Sequence, residues 1–238
     1  MATLPVKAEP GRPVAIVILA KAPLPGLAKT RLIPHLGADG AANLQGWLLE
    51  RTMATALAAG IGPVSLWCAP DTRHPEFTRH RNTHGIELDA QPAGDLGERM
   101  YHAVATAQAP HGTLVIGTDC PVLTPAHLQA AARALASHDA VITPAEDGGY
   151  VMIGLRRPSR VPFDSMPWST PQLMTHTRQR LAASNLSWFE FDPLWDVDRK
   201  EDFERLERLL PNHSLSSPAL TNRRHDNEAV ALPSGDDI

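Results

Sequence analysis

Short runs of β-branched and apolar residues recur at positions 14–19, 64–68, 86–90, 113–117, 140–143 and 150–155. Each is bounded by Gly, Pro or polar residues and is too short for a helix, which is the pattern of buried strands. Between them lie longer stretches with helical spacing. Residues 41–59 are rich in Ala and Leu and stop at Gly60, residues 96–107 follow, and residues 125–136 open with Thr124 at the cap and Pro125 at the first helical position. Further on, Thr170-Pro171 opens a helix to about Ala183, residues 188–191 read as a strand, and residues 201–210 as a short closing helix. Strand alternating with helix predicts an α/β fold: one domain over residues 13–210, with a mostly parallel central sheet and helices on both of its faces. Residues 1–12 and 211–238 carry Pro, Ser and charge without periodicity, and are expected to form a flexible N-terminal segment and a disordered tail.

Composition narrows the function classes. With 43% hydrophobic and 20% charged residues, a chain of 238 can build a sizeable core. Its 22 Lys and Arg against 26 Asp and Glu leave a net charge of −4. That balance supplies no general attraction for a phosphate backbone, so nucleic acid is not an expected partner and any phosphate binding has to be local. The longest apolar run, residues 14–20, is far shorter than the roughly 20 residues of a spanning helix, so no membrane span is expected. Only Cys68 and Cys120 occur, without metal-site spacing, and they read as small buried thiols in a reducing compartment, the cytoplasm. The eleven histidines show no metal or nucleophile spacing.

Doubly wound sheets bind ligands beyond the carboxyl ends of their strands, so the residues after each run carry the candidate chemistry. After the first come Ala20, Lys21, the stiffening Pro23 and Pro25, Gly26 at a bend, and then Lys29 and Arg31, which can face an anion at the strand end. A nucleoside diphosphate or triphosphate suits such a loop, although the glycines of a Walker A motif are absent and a solvated basic loop would read the same. In Gly94-Asp95-Leu96-Gly97, Asp95 is placed to cap the next helix, and the glycines would let that helix start approach a ligand. In Gly117-Thr118-Asp119-Cys120-Pro121 a carboxylate stands at a strand end, where Mg²⁺ or Mn²⁺ could bridge protein and phosphates, or where it could simply serve the following turn. Glu146-Asp147-Gly148-Gly149 sets two acids before two glycines, suited to gripping sugar hydroxyls or, at Asp147, to taking a proton; Asp-Gly-Gly is also ordinary hairpin chemistry. Trp168 can stack on a sugar or base, or fill the core. Asp196 and Asp198 alternate onto one side of an extended segment, where either could join Asp119 around a metal; Asp198 with Glu201 also reads as a capping box.

Taken together, Ala20-Lys21-Ala22-Pro23 with Gly26 and Lys29-Thr30-Arg31-Leu32, Gly94-Asp95-Leu96-Gly97-Glu98-Arg99, Gly117-Thr118-Asp119-Cys120-Pro121, Glu146-Asp147-Gly148-Gly149-Tyr150, Pro167-Trp168-Ser169-Thr170 and Asp196-Val197-Asp198 resemble one bacterial family over residues 14–210. It is a GT-A superfamily glycosyltransferase-like family, some of whose members are named arsenosugar-biosynthesis glycosyltransferases. The resemblance implies a Rossmann-like, three-layer nucleotide-diphospho-sugar transferase fold. It also implies a metal-dependent glycosyltransferase, with Mg²⁺ or Mn²⁺, that moves a sugar from a nucleotide sugar to a small-molecule acceptor. By it, Lys21, Lys29 and Arg31 would form the nucleotide-phosphate loop, with Ala20, Gly26, Gly94 and Asp95 beside them. Asp119 and Asp198 would hold the metal, Asp119 and Asp147 would carry the chemistry, and Glu146, Gly148, Gly149 and Trp168 would face the acceptor. Similar proteins carry Thr-Pro after the last Asp-x-Asp, where Arg199-Lys200 stands here. Ala28-Lys29-Thr30-Arg31-Leu32 also resembles a stretch of phospholactate guanylyltransferases. That likeness implies an alternative, nucleotidyl transfer from an NTP to a phosphorylated small molecule with release of pyrophosphate. A nucleotide-binding protein without turnover is a third reading. Donor, acceptor, anomeric outcome and oligomeric state are left open.

Overall fold

A computed structural model describes residues 13–107 and 109–210, so both expected loose ends lie outside the described residues. Seven strands, β1 (Ala15–Lys21), β2 (Val64–Ala69), β3 (Glu87–Ala90), β4 (Thr113–Ile116), β5 (Ala140–Pro144), β6 (Tyr150–Leu155) and β7 (Trp188–Glu190), form one sheet in the order β3-β2-β1-β4-β6-β5-β7. β1 pairs in parallel with both β2 and β4, and β6 is the one reversed strand, antiparallel to β4 and β5. The reversal follows from the short connection after Pro144, which can only return the chain as a hairpin, whereas parallel neighbours need a crossover.

Among the described residues six helices flank the sheet: α1 (Ile33–Ala59), α2 (Pro75–His84), α3 (Leu96–Ala107) and α4 (Pro125–Leu135) fill the crossovers from β1 to β5, α5 (Leu173–Ala183) joins β6 to β7, and α6 (Lys200–Leu209) follows the last strand. Strand alternation sends Ile16, Ile18 and Ala20 to one face, where they pack with Leu49 and Met53 of α1, Phe77 of α2 and Leu128 of α4. Val17 and Val115 face the other way, toward Met100 and Val104 of α3 and Met174 and Leu181 of α5. The result is the expected three-layer arrangement. α6, the turn before α1 and the middle of α1 share a third cluster around Leu32, Leu48, Trp195, Val197 and Phe203. No helix among the described residues is long and apolar enough to cross a membrane.

Three expectations need correction. α1 starts at Ile33 and not near Ala41, with a break at Gly37 (φ 71°, ψ 169°) and Pro34 in its first turn. α2 was not expected at all. The cap of α6 is not Asp198 with Glu201: Arg199 stands at the cap position, and the Asp202 carboxylate accepts the backbone N–H groups of Asp198 at 3.1 Å and Arg199 at 2.8 Å.

This topology assembles one edge of the molecule. The loops after β1, β3 and β4 and the β5–β6 turn all leave the same end of the sheet, and a bridge between Ala145 and Leu194 carries residues 194–198 to it.

Candidate active site

The centre of this edge is an ion pair. The Lys29 ammonium lies 2.6 Å from Asp119 Oδ1 and donates to the Val197 carbonyl at 2.7 Å, with 4% of its side chain exposed. Lys29 sits in the left-handed region (φ 47°, ψ 46°) at the start of a 3-10 turn, Thr30–Leu32, a conformation costing a non-glycine residue about 1–2 kcal/mol. The Val197 N–H in turn donates to the Asp119 carbonyl at 2.8 Å, lacing the β4 loop to the segment before α6.

Asp119 is held from a second side. Gln45, buried on α1, donates to the Thr118 hydroxyl at 3.0 Å and, at 3.4 Å, to the Lys21 carbonyl; the Thr118 hydroxyl donates to Asp119 Oδ1 at 3.2 Å. Half-buried Asp196 completes the cluster. Burial, then the charges of Asp147 and Asp119, push its carboxyl up to about 6, while Lys29 pulls the other way. Three carboxylates thus share one electrostatic field with a single buried ammonium.

Asp198 sits differently. Its carboxylate is ion-paired with Arg31, and both side chains are substantially exposed, 40% and 63%. Of the basic loop residues, Lys29 and Arg31 therefore face the two aspartates expected around a metal, while Lys21 is exposed at the end of β1 and Gly26 takes the left-handed bend (φ 81°).

Asp147 lies exposed on the β5–β6 turn, its Oδ1 accepting the Gly149 N–H at 2.9 Å. The turn has no room for a side chain at Gly148: φ is 93°, and a Cβ would stand 2.4 Å from the Pro171 carbonyl oxygen. Glu146 points to α6 instead, in a two-pronged contact with Arg205 at 2.7 and 3.2 Å, and that guanidinium lies 4.5 Å over the Trp195 ring. Asp95 caps α3 through the Glu98 N–H at 2.9 Å and also accepts the Trp168 indole N–H at 3.2 Å, so two residues singled out separately meet.

Gln91, with no sequence signal, and Arg99, whose role no sequence signal gave, stand at the same edge. Gln91 donates to the Ala20 carbonyl at 3.2 Å and the Trp67 carbonyl at 2.8 Å, tying the ends of β1 and β2, and Arg99 approaches its side-chain oxygen at 3.5 Å. Cys68 and Cys120 are free and buried, and burial pushes their thiols up to about 12 and about 11, which disfavours the reactive thiolate at neutral pH.

A family model described as an uncharacterized protein conserved in bacteria (DUF2064) matches residues 52–170, which include Asp95, Asp119, Asp147 and Trp168. The chain is similar to the crystal structure of a candidate nucleotide-diphospho-sugar transferase from Desulfovibrio desulfuricans G20. The identity is 30%, the TM-score 0.77, and the match covers 88% of this chain and 94% of that one. It shares its fold with the 4-diphosphocytidyl-2C-methyl-D-erythritol synthase of Anaerococcus prevotii DSM 20548, at 10% identity and TM-score 0.55, covering 82% and 97% of the two chains. It likewise shares the fold of the inositol-1-phosphate CTP transferase of T. maritima, at 12% identity and TM-score 0.54, covering 92% and 99%. No curated protein matches by sequence. With half its length matched by the family model and a near-complete relative at 30% identity, the chain belongs to the bacterial DUF2064 family and has the GT-A-like nucleotide-diphospho-sugar transferase fold.

Proposed function

We propose that the protein is a nucleotide-utilising transferase that moves a sugar from a nucleotide sugar to a small-molecule acceptor, at the carboxyl ends of β1, β4 and β5. One observation carries the reading: a buried cation, Lys29, is paired with Asp119 where Asp147 and Asp196 add uncompensated negative charge. Such a site accommodates a cation and a diphosphate together. The name of the Desulfovibrio relative points the same way. A cytoplasmic setting, which suits the two free thiols, is part of the proposal.

The donor set tests whether Mg²⁺ or Mn²⁺ fits. Among the described residues, no three or more His, Cys, Asp or Glu are grouped to hold a metal ion. Mg²⁺ ordinarily takes one or two carboxylates and fills its shell with substrate phosphates and water, and the acidic excess around Asp119 and Asp196 is what such an ion relieves. The residues therefore fit a cation shared with a diphosphate, and not an all-protein cage. Asp119 and Asp196 would hold it, Asp196 in place of Asp198, because Asp196 lies half-buried in the acidic field of Asp147 and Asp119 whereas Asp198 stands exposed beside Arg31. When bound, the ion supplies Lewis-acid stabilisation of the leaving diphosphate.

The chain's own groups do the remainder. Lys29, Arg31 and Lys21 offer positive charge to the phosphates, and Gly148 and Gly149 allow close approach to the acceptor. Asp147 takes the proton of the acceptor hydroxyl as its oxygen bonds to the anomeric carbon, while the bond from that carbon to the diphosphate oxygen breaks. The same three cations would also suit a triphosphate, which keeps nucleotidyl transfer as the second reading.

The test is a panel of nucleotide sugars with Mg²⁺ or Mn²⁺. Release of nucleoside diphosphate is expected, lost about 100-fold or more in Asp119→Ala with circular dichroism unchanged. Absence of both hydrolysis and any rise in melting temperature across the panel would overturn the proposal, and pyrophosphate release from a nucleoside triphosphate would move it to the second reading.

A further inference from the structure

We propose that Lys29 is a resident counter-ion that keeps Asp119 from divalent cations until a diphosphate draws its ammonium away, so that metal and nucleotide bind cooperatively. The inference rests on the transferase reading of this site. An ammonium has three N–H donors, and here Asp119 Oδ1 at 2.6 Å and the Val197 carbonyl at 2.7 Å account for two. The pair is asymmetric: 4% of the Lys29 side chain is exposed against 48% of that of Asp119, so an incoming ion meets the carboxylate first with the ammonium already behind it.

That ammonium is not a swinging surface group. Its side chain is almost wholly covered, and the Val197 N–H bond to the Asp119 carbonyl holds together the two segments that the ammonium spans. A divalent ion placed on Asp119 would share a part-buried site with the resident positive charge, where solvent screens repulsion poorly. A phosphate oxygen changes the balance, because it offers the ammonium a charged acceptor in exchange for Asp119. Arg31 cannot play this part for Asp198, since that pair is open to solvent.

The counter-ion role differs from a purely structural pin in what removal of the charge does to metal affinity. Free Mn²⁺ is counted by electron paramagnetic resonance in titrations of nucleotide-free wild type, Lys29→Gln and Lys29→Asn, the last chosen because Asn tolerates the left-handed region. Both variants are expected to bind Mn²⁺ about tenfold or more tightly than wild type, within the 5–150-fold span common for coupled sites. Adding Asp119→Asn to either should abolish the gain. Affinity equal to or weaker than that of wild type in the folded variants, or no Mn²⁺ bound to them, overturns the counter-ion. If none of the proteins binds Mn²⁺ even with GDP or UDP present, the metal-dependent reading falls as well, and the two failures are told apart.

Discussion

The indole N–H of Trp168 donates to Asp95 Oδ2 at 3.2 Å while Oδ1 of the same carboxylate accepts the Glu98 N–H at 2.9 Å. One side chain thus starts α3 and anchors an aromatic ring that also stands edge-on to Tyr150, 6.4 Å between centroids. Asp95→Ala removes both roles and should lower stability by about 1–2 kcal/mol, the range for losing an N-cap. Asp95→Asn keeps a capping oxygen but presents an amide to the indole donor, so it should cost less than Ala. Urea unfolding of the three proteins measures the order; an Asn variant as unstable as Ala would mean that the indole contact, and not the cap, carries the stability.

Gly97 is needed for the same arrangement. A Cβ there would lie 2.5 Å from the Phe163 carbonyl oxygen and 2.7 Å from Trp168 Cζ2. Ala ordinarily improves a helix by about 1 kcal/mol over Gly, yet here overpacking of about 1–3 kcal/mol should win. Gly97→Ala is therefore expected to lower the melting temperature. An unchanged or higher melting temperature would show that α3 can shift without strain.

Much of this architecture is visible in the sequence, for identifiable reasons. The bounds of α3 and β6 coincide with the apolar spacing at both ends, because each has a buried face and distinct punctuation. α2 escapes notice because only Phe77 and His80 of its ten residues are buried, leaving no apolar stripe; His74 accepting the Glu76 N–H, Pro75 in the first turn and Gly85 as left-handed cap were the available signals. At the site, Lys29 and Asp119 stand out by following strands, but their mutual contact does not. The Lys29 bond to Val197 joins residues 168 apart, and periodicity assigns faces, not partners. Gln45 is hidden for the opposite reason: a glutamine in an Ala- and Leu-rich helix looks like its wet side, whereas it is buried and holds Thr118.

His80 gives the fold a pH dependence of definite sign. It is fully buried on α2, with Nδ1 unpartnered among the described residues, and burial, then Arg79, hold it below its ordinary value of 6.5, opposed by Glu50 and Glu76, with His84 stacked at 5.8 Å adding to the depression. The native state keeps His80 neutral where the unfolded chain already takes up a proton, so stability should fall as pH drops below about 6.5, by at most about 1.4 kcal/mol per pH unit for one group. His74 shifts the same way but is common to both proteins in a comparison with His80→Leu. Denaturation midpoints at pH 7, 6 and 5 should decline less steeply in the variant; parallel slopes would mean that His80 is protonated when folded.

Asp196 and Asp198 are two residues apart and have opposite surroundings, which separates their roles by experiment. Burial, then the charges of Asp147 and Asp119, raise the Asp196 carboxyl to about 6, whereas Asp198 already has Arg31 for a partner. In the presence of GDP or UDP, Asp196→Asn and Asp119→Asn should each weaken Mn²⁺ binding by about 100-fold or more, beyond the 10–100-fold that outer partners of a metal ligand cost. Asp198→Asn removes only an exposed ion pair, worth about 1 kcal/mol or less, and should change Mn²⁺ affinity by about threefold or less while loosening the loop that carries Arg31. Isothermal titration of the three variants decides the matter. A large loss confined to Asp198→Asn would return the second carboxylate to that position and leave Asp196 as an acid held for another purpose, because the two cannot both be explained by the charge that surrounds Asp119.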